Sequence, residues 1–267
     1  MLPTRLVDKP WGCDALPAPF VAPPGARIGE IWFEPTPELP QLLAKYIFTS
    51  EKLSVQVHPS DAQTLAAGLG RQGKEECWLV LDAEPGATLG VGLNAPGDAE
   101  SLRAAALDGG IEALLQWHPV RAGDFFYIPA NTIHAIGAGI ALVEVQQNSD
   151  ITYRLYDYGR PRELHLDEGL AVAQAMPHDA GLRRNVPESG GITLVEGPYF
   201  RLDRLDGPPD AAVQARYRGA CLILPLQRPV RIGADLIGPG DCAGVANLAE
   251  ADFRDAGRAL VAQAVQG

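Results

Sequence analysis

Three stretches of the chain carry side chains that together could bind a divalent metal ion. The first reads Ser-Val-Gln-Val-His-Pro, and on a strand its Gln56 and His58 point to one face while the valines point to the other. The second contains Glu76, and the third runs from a Gly-Asp turn through a short apolar strand to His134. Two imidazoles, a carboxylate and an amide oxygen suit Zn²⁺ and are compatible with other first-row divalent ions. We therefore predict a metal site formed by these four residues.

The charged residues around Glu76 raise the question of which of them face the metal. Lys74 lies two residues before Glu76 and shares its face, so its amine would stand beside the metal and could exchange protons with a substrate. Glu75 is the rival carboxylate ligand, but it points to the opposite face and we do not expect it in the site. The alternative for each histidine is a structural role, which is the commoner one for a lone histidine on a strand.

A second concentration of polar residues follows the next apolar strand and includes Glu144, Asp150 and Arg154. One interpretation of this polar stretch is structural: the end of a strand followed by a solvated loop. Alternatively, the stretch lies near the metal because it comes soon after His134, and Arg154 could then bind a phosphate through paired hydrogen bonds or stabilise an oxyanion. The remaining histidines are predicted to be ordinary surface residues: His118, His165 and His178.

The composition limits the classes of function. The chain has 267 residues and a formal net charge of -11, which argues against a nucleic-acid partner because phosphate backbones require clustered lysines and arginines. Its 29 glycines and 23 prolines indicate many turns, as in an all-β sandwich or barrel. The sequence contains no apolar run near the roughly 20 residues of a membrane span, no signal-peptide core and no Cys-x-x-Cys pair. We therefore expect a cytoplasmic protein without a membrane partner.

The hydrophobic pattern predicts a catalytic β domain over residues 1–180 with a helical cover. The cover, about residues 98–118, reads as two short helices separated by a Gly-Gly pair. A linker around residues 177–191 would lead into a smaller β module at residues 190–267. The module weakly repeats the Gly-Asp and Ala-Asn pattern of the first domain but has no histidine at the equivalent position, so we expect no metal ligands there.

These motifs resemble the type I mannose-6-phosphate isomerases, also called phosphomannose isomerases, and in particular their short bacterial form. The similarity runs in order from Lys9 to Arg160, and its Gln-x-His-Pro and Glu-Cys-Trp pieces are the most specific, whereas the C-terminal third matches loosely. The resemblance implies a zinc enzyme of the cupin superfamily, whose fold is a double-sheet β-barrel. The expected fold is therefore mainly β: a cupin jelly-roll barrel with a few covering helices, and a smaller, degenerate cupin-like β module after it.

The resemblance also implies a role for each matching residue. The zinc ligands, for one ion per chain, would be Gln56, His58, Glu76 and His134. The catalytic groups would be Lys74, Arg154, Glu144 and Asp150. The substrate-binding groups would be Arg154 and, near the sugar phosphate, Ser54 and Lys45. Longer members carry a histidine directly before the active-site lysine, whereas this chain has Gly73, so ring opening falls to another group or to water.

The implied activity is the interconversion of mannose 6-phosphate and fructose 6-phosphate through a cis-enediol, with the metal as Lewis acid and template. Two alternatives are an isomerase for another phosphosugar and a non-catalytic sugar-binding cupin that keeps the metal for structure. Convergence of the four catalytic candidates on the metal would favour an enzyme. A small phosphorylated sugar is the expected partner, and the sequence leaves the oligomeric state open, a monomer being compatible with it.

Overall fold

The structure, a computed structural model, describes residues 1–265, and these residues form a mainly β protein with few helices. The last two residues of the module predicted at 190–267 lie outside the described residues. Within residues 1–265, none of the helices combines the length and the apolar character that a membrane crossing requires.

Two antiparallel sheets form the N-terminal part of the molecule. Their strands are β1 (Thr4–Cys13), β2 (Ile28–Phe33), β3 (Leu42–Thr49), β4 (Val55–Val57), β5 (Glu76–Ala83), β6 (Thr88–Leu93), β7 (Leu115–Pro119), β8 (Asp124–Ile128), β9 (His134–Ile136), β10 (Ile140–Gln147), β11 (Tyr153–Tyr156) and β12 (Arg183–Asn185). The larger sheet has the order β1-β2-β3-β10-β5-β8-β12, and the smaller has the order β11-β4-β9-β6-β7. The two sheets face each other as the jelly-roll barrel of the cupin fold, which confirms the predicted fold class.

The central strands of the larger sheet are buried on both faces. All eight residues of β3 are buried, and their side chains alternate between two environments. Tyr46 and Phe48 pack into a core shared with the C-terminal module, whereas Ile47 packs into the barrel interior. Lys45 points into that same interior, because it lies two residues before Ile47 on the strand and therefore shares its face. The alternation therefore places charged residues inside the barrel without interrupting the outer core.

Five α-helices are present among the described residues: α1 (Asp61–Ala66), α2 (Ala99–Asp108), α3 (Ile111–Leu114), α4 (Leu166–Val172) and α5 (Ala211–Arg216). The predicted break in the helical cover is confirmed at Gly109, whose φ of 84° is a left-handed conformation that glycine adopts without strain. The predicted end of the cover at residue 118 is wrong. Residues 115–119 form β7 instead, because a proline at residue 119 disfavours helix just before it and Leu115 and Trp117 pair with β6.

The C-terminal module contains two further antiparallel sheets. Its strands are β13 (Ile192–Glu196), β14 (Phe200–Asp206), β15 (Cys221–Pro225), β16 (Val230–Ile232), β17 (Asp235–Ile237), β18 (Ala243–Val245), β19 (Ala251–Asp252) and β20 (Arg258–Ala264). One sheet has the order β13-β14-β20-β15-β18, and the other has the order β17-β16-β19. The segment predicted as a linker, 177–191, contains β12, which pairs with β8 at the edge of the larger sheet. The division into domains at residues 180 and 190 stays a prediction.

Candidate metal and substrate site

The predicted site residues come from both sheets of the barrel. On the smaller sheet, Gln56 in β4 pairs with His134 in β9 on one side and with Arg154 in β11 on the other. On the larger sheet, Glu144 in β10 pairs with Lys45 in β3. Residues directly opposite in an antiparallel ladder share a face, so each sheet presents a row of polar side chains to the interior. A cavity of about 410 Å³ opens between these rows.

Three buried side chains meet at one end of this interior. The side chains of His58, Glu76 and His134 offer ligand atoms that all lie within 4.8 Å of one another. The carboxylate of Glu76 extends between the two rings, with Oε1 3.3 Å from His134 Nε2 and Oε2 3.6 Å from His58 Nε2. The structure thus brings together three of the four predicted metal ligands.

Backbone carbonyls fix the orientation of both imidazoles. His58 Nδ1 donates to the carbonyl of Ile151 at 2.8 Å, and His134 Nδ1 donates to the carbonyl of Thr132 at 2.9 Å. In each neutral ring the Nε2 lone pair is then directed at the cluster, as in metal sites where a second partner sets the tautomer. Burial and the charge of Lys74 lower the pKa of both histidines, that of His134 to about 3, so both are neutral near pH 7.

The donor set of the cluster fits a divalent metal ion. Glu76 Oε1 is buried and has no hydrogen-bond donor within residues 1–265, although burial of an unpartnered carboxylate oxygen is unfavourable. Two neutral imidazole nitrogens and one carboxylate are the ligand types that Zn²⁺ and similar ions prefer. We conclude that His58, Glu76 and His134 could hold a metal ion.

Gln56, the fourth predicted ligand, lies against the cluster with its amide nitrogen towards it. Its Nε2 is 3.2 Å from His134 Nε2, while its Oε1 accepts a hydrogen bond from Ser54 Oγ at 3.2 Å. Rotation of the amide by half a turn would direct the oxygen at the cluster, because the two ends of an amide group have the same shape. The position of Gln56 therefore suits a ligand, and its role stays a prediction.

Lys74 is buried beside the cluster, and Glu75 faces away from it. The Lys74 ammonium forms a close ion pair with Glu76 and lies 2.9 Å from His58 Nε2. The carboxylate of Glu75 accepts a hydrogen bond from the hydroxyl of Tyr127, which packs on the outer face of the larger sheet. The opposite orientation of the two glutamates is the one that the strand alternation predicts.

Gly73 allows Lys74 to take this position. A Cβ at residue 73 would lie 2.3 Å from the carbonyl oxygen of Pro59. The same approach lets the Lys74 amide donate to that carbonyl at 3.0 Å and lets the Gly73 amide donate to Asp61 Oδ1 at 2.7 Å. The segment before Lys74 is thus packed directly on the start of α1. A larger side chain at residue 73 would push this segment, and Lys74 with it, away from α1.

Lys45 and Glu144 form the centre of the polar row on the larger sheet. Lys45 Nζ lies 2.8 Å from Glu144 Oε1 and 3.9 Å from Glu30 Oε2. Trp78 Nε1 donates to Glu144 Oε2 at 2.9 Å. Although burial alone would lower it, the pKa of Lys45 is raised above its ordinary value by these carboxylates, so the ammonium stays charged and is neutralised by its own partners.

The opposite wall of the cavity is formed by residues around β11 and the loop after it. Asp150 and Arg154 line the cavity, as do Arg162 and His165. The prediction that His165 is an ordinary surface residue is therefore wrong. His165 Nδ1 accepts a hydrogen bond from the Arg154 amide at 3.3 Å, and its own amide donates to the Arg154 carbonyl at 2.8 Å.

The other two histidines predicted at the surface are buried, whereas His165 is half-buried. His118 is 5% exposed and its Nδ1 accepts from Arg183 at 2.8 Å, while His178 is 9% exposed and donates to the Tyr127 carbonyl at 2.8 Å. Both flank the ring of Phe126. Both rings pack against the larger sheet rather than in the cavity, so their contacts are those of structural residues.

The fold and the site together define a cupin barrel with a candidate metal site in its interior.

Curated proteins resemble this chain over about 60% of its length, while no protein-family model matches it. Over 172 residues it is 39% identical to mannose-6-phosphate isomerase ManA of Bacillus subtilis (strain 168), which covers 61% of this chain and 54% of that protein. Over 171 residues it is 45% identical to mannose-6-phosphate isomerase of Streptococcus mutans, with coverages of 60% and 52%. The chain thus spans about half the length of the curated relatives it matches.

The whole fold resembles a solved structure as well. Mannose 6-phosphate isomerase from Bacillus subtilis superimposes with a TM-score of 0.81 over 98% of each chain, at 24% sequence identity. At this identity the structural likeness concerns the fold. Taken with the sequence matches, it confirms the resemblance to the mannose-6-phosphate isomerases that the motifs predict.

The orientation of the two adjacent glutamates predicts different effects on metal binding. Glu76→Gln removes the charged oxygen between the imidazoles and is expected to weaken binding of Zn²⁺ or Co²⁺ by more than about 10-fold, since even outer partners of metal ligands contribute about 10- to 100-fold. The matched control Glu75→Gln should bind like the wild type. Calorimetric titration of metal-free protein measures both affinities. Equal loss in the two variants would contradict the assignment.

The close packing of Gly73 predicts a specific sensitivity to a single methyl group. Gly73→Ala should lower the free energy of unfolding by about 1–3 kcal/mol, because the Cβ meets backbone that cannot move without shifting α1. The control Gly191→Ala, whose Cβ would meet nothing closer than 3.7 Å, should change it by less than about 0.5 kcal/mol. Urea denaturation measures both values. A neutral Gly73→Ala would show that the loop before Lys74 adapts freely.

Proposed function

We propose that this chain is a metal-dependent aldose–ketose isomerase that interconverts mannose 6-phosphate and fructose 6-phosphate through a cis-enediol. The observation that carries the proposal is the buried Lys74 amine in contact with His58 and Glu76 of the candidate metal cluster, at the wall of a polar cavity. The resemblance of this chain, over about 60% of its length, to mannose-6-phosphate isomerases supports the same reaction.

The proposed metal is Zn²⁺, one ion per chain, held by His58, Glu76 and His134 with Gln56 as fourth ligand. When bound, the ion would supply Lewis-acid stabilisation of the negative charge that develops on the sugar oxygens. The donor set supports zinc because it combines imidazole nitrogens with a carboxylate, although the same ligands accept other first-row divalent ions.

Lys74 is the proposed group for proton transfer between C1 and C2. In its neutral form the amine can take the proton from C2 of mannose 6-phosphate, and the aldehyde oxygen gains a proton to give the enediol. The ammonium then returns a proton to C1 while the C2 hydroxyl loses one, which gives fructose 6-phosphate and regenerates the amine. Burial of Lys74 beside the cluster keeps the amine near the reacting carbons and away from bulk water.

The other predicted residues have supporting roles in the proposal. Arg154 would offset negative charge on the substrate, since its guanidinium is always protonated. Glu144 would hold the Lys45 side chain extended across the larger sheet, because the two are paired at 2.8 Å. Ser54 Oγ lies 3.2 Å from the Gln56 amide oxygen and would accept from the amide nitrogen once the amide is turned to direct its oxygen at the metal. Asp150 contributes a carboxylate to the cavity wall.

Two alternatives make different demands on the site. A non-catalytic sugar-binding cupin needs the metal but no proton-transfer group, so a buried lysine in contact with two of the metal ligands favours the enzyme. An isomerase for another phosphosugar would use the same groups, and mannose 6-phosphate is preferred here because of the curated relatives. Location in the cytoplasm, a monomeric state and the lack of nucleic-acid or membrane partners stay predictions from the sequence.

The role of Lys74 is tested by replacing it with a side chain of similar length and no charge. Lys74→Met should reduce turnover of mannose 6-phosphate by at least about 100-fold, the lower range for a lost acid–base group, because within residues 1–265 no other lysine pairs with the cluster. A coupled assay for fructose 6-phosphate measures the rate, and metal titration of the same variant serves as the control for an intact site. Turnover within a few-fold of the wild type would refute the assignment.

A further inference from the structure

We infer that Asp61, the first residue of α1, is a positioning residue for Lys74, and that Gln147, the last residue of β10, completes the same support. Both side chains would hold the backbone on either side of the lysine from outside the substrate cavity. The inference rests on the proposed function, because it concerns how the chain places the amine that would transfer the proton.

The backbone around Lys74 is held at three consecutive amides. In the segment of residues 73–75, the first amide donates to Asp61 Oδ1 at 2.7 Å and the second donates to the Pro59 carbonyl at 3.0 Å. The third donates to Gln147 Oε1 at 2.9 Å. Two of the three acceptors are side-chain atoms, so the path of the backbone through Lys74 depends on two specific side chains.

The two side-chain acceptors are joined to each other. Gln147 Nε2 donates to Asp61 Oδ1 at 2.9 Å, so one carboxylate oxygen accepts from both the Gly73 amide and the Gln147 side chain. Gln147 is 2% exposed, and its own backbone amide donates to the Glu75 carbonyl at 3.0 Å. A buried donor that loses its acceptor is unfavourable. Loss of the Asp61 carboxylate would therefore release the backbone before Lys74 and also disturb the contact after it.

The start of α1 is itself fixed to the candidate metal cluster. The carbonyl of His58 accepts from the Asn131 amide at 2.8 Å, and Asn131 Nδ2 donates to Gln63 Oε1 in the first turn of α1 at 2.6 Å. Gln63 Oε1 also accepts from the Ser60 amide at 2.8 Å, which completes a capping box. The helix start therefore keeps a fixed place relative to the cluster, and whatever it holds keeps that place too.

Asn131 has a backbone conformation that requires support from its surroundings. Its φ of 73° is left-handed, a region that asparagine enters more readily than most residues but still at a cost. It is 8% exposed, and its side chain donates to the His58 carbonyl at 3.3 Å as well as to Gln63. Strained residues of this kind cluster at functional sites, where neighbouring contacts hold them. The strain thus lies at the junction between α1 and the strands that carry the histidines.

Asp61 and Gln147 lie outside the substrate cavity. Among the described residues, neither lines the cavity of about 410 Å³, and both line a separate cleft of about 1070 Å³ between the barrel and the C-terminal module. Gln147 is three residues after Glu144 on β10, so strand alternation directs its side chain to the opposite face. A change in either residue would therefore move Lys74 without removing a contact to the substrate or the metal.

The alternative is that Asp61 serves only to stabilise the start of α1. It is the acidic residue of the first turn, where a negative charge is favourable. Within residues 1–265, however, its carboxylate accepts from Gly73 and Gln147 and from no amide of α1 itself. The side chain that caps the helix is Ser60, whose Oγ accepts from the Gln63 amide at 3.4 Å. The directional contacts of Asp61 thus go to the segment of Lys74.

The experiment compares zinc-loaded wild type with Asp61→Ala and Asp61→Asn. Asp61→Ala should lower kcat for mannose 6-phosphate by at least about 10-fold, with KM and Zn²⁺ affinity changed by less than about 3-fold, because it displaces the amine and leaves the binding groups in place. Asp61→Asn should keep kcat within about 3-fold of the wild type, because its amide oxygen can accept from both donors. A coupled assay measures kcat and KM, and calorimetric titration measures the Zn²⁺ affinity.

The control Asp210→Ala removes an aspartate that caps a helix far from the site. Its Oδ1 accepts from the Val213 amide at 2.8 Å at the start of α5, so its loss weakens a helix start and should leave kcat, KM and Zn²⁺ affinity unchanged. Wild-type kcat in Asp61→Ala, or no recovery in Asp61→Asn, would overturn the inference. If Asp61→Ala does not fold, Gln147→Met takes its place and should show the same loss of kcat.

Hydrogen exchange distinguishes failure of this inference from failure of the proposed function. The amides of Gly73 and Glu75, followed by NMR, should exchange at least about 10-fold faster in Asp61→Ala and at near wild-type rates in Asp61→Asn, because the segment opens more readily without its acceptor. Unchanged exchange in Asp61→Ala would overturn the inference whether or not the protein is an isomerase. Faster exchange in a protein that turns over no mannose 6-phosphate would refute the isomerase and still support Asp61 as the residue that holds the Lys74 segment.

Discussion

The structure depends on pairing the charges that the barrel takes out of water. Lys74, Glu76, Lys45 and Glu144 are all at most 5% exposed, and an isolated charge in such a place would be strongly unfavourable. Each has a partner of opposite sign, and the two imidazoles beside them are neutral because burial lowers their pKa. The interior can therefore hold the candidate metal cluster and a buried lysine beside it while the protein remains stably folded.

This arrangement requires support from outside the barrel. The larger sheet carries the charged row on one face, and its other face packs against the C-terminal module through residues such as Tyr46 and Phe48. Close packing of this kind leaves little freedom for the strands to shift, so the charged groups keep their distances. The direct contact of Gly73 with the backbone at Pro59 has the same effect at Lys74. Rigid elements on both sides thus hold the groups that would do chemistry.

Much of the candidate cluster follows from local rules. Strand alternation alone places Gln56 and His58 together and separates Glu76 from Glu75, and the Gly-Gly pair at residues 109 and 110 marks the break between two helices. The pairing of His165 with Arg154 does not follow from such rules. His165 meets Arg154 through backbone hydrogen bonds between a strand and a loop 11 residues apart, and this pairing has no periodic signature. His118 likewise accepts a hydrogen bond from Arg183, which is 65 residues away in the sequence. A contact between residues so far apart leaves no signal in the local sequence pattern.

The most direct test of a metal-dependent isomerase is activity on mannose 6-phosphate before and after removal of metal with a chelator, followed by stoichiometric return of Zn²⁺. Activity is expected to be lost with the metal and regained with about one ion per chain, because His58, Glu76 and His134 form one cluster. Stoichiometric zinc binding without turnover of mannose 6-phosphate would contradict the proposed enzyme and favour a sugar-binding cupin. Full activity in the chelated protein would contradict the metal-dependent mechanism itself.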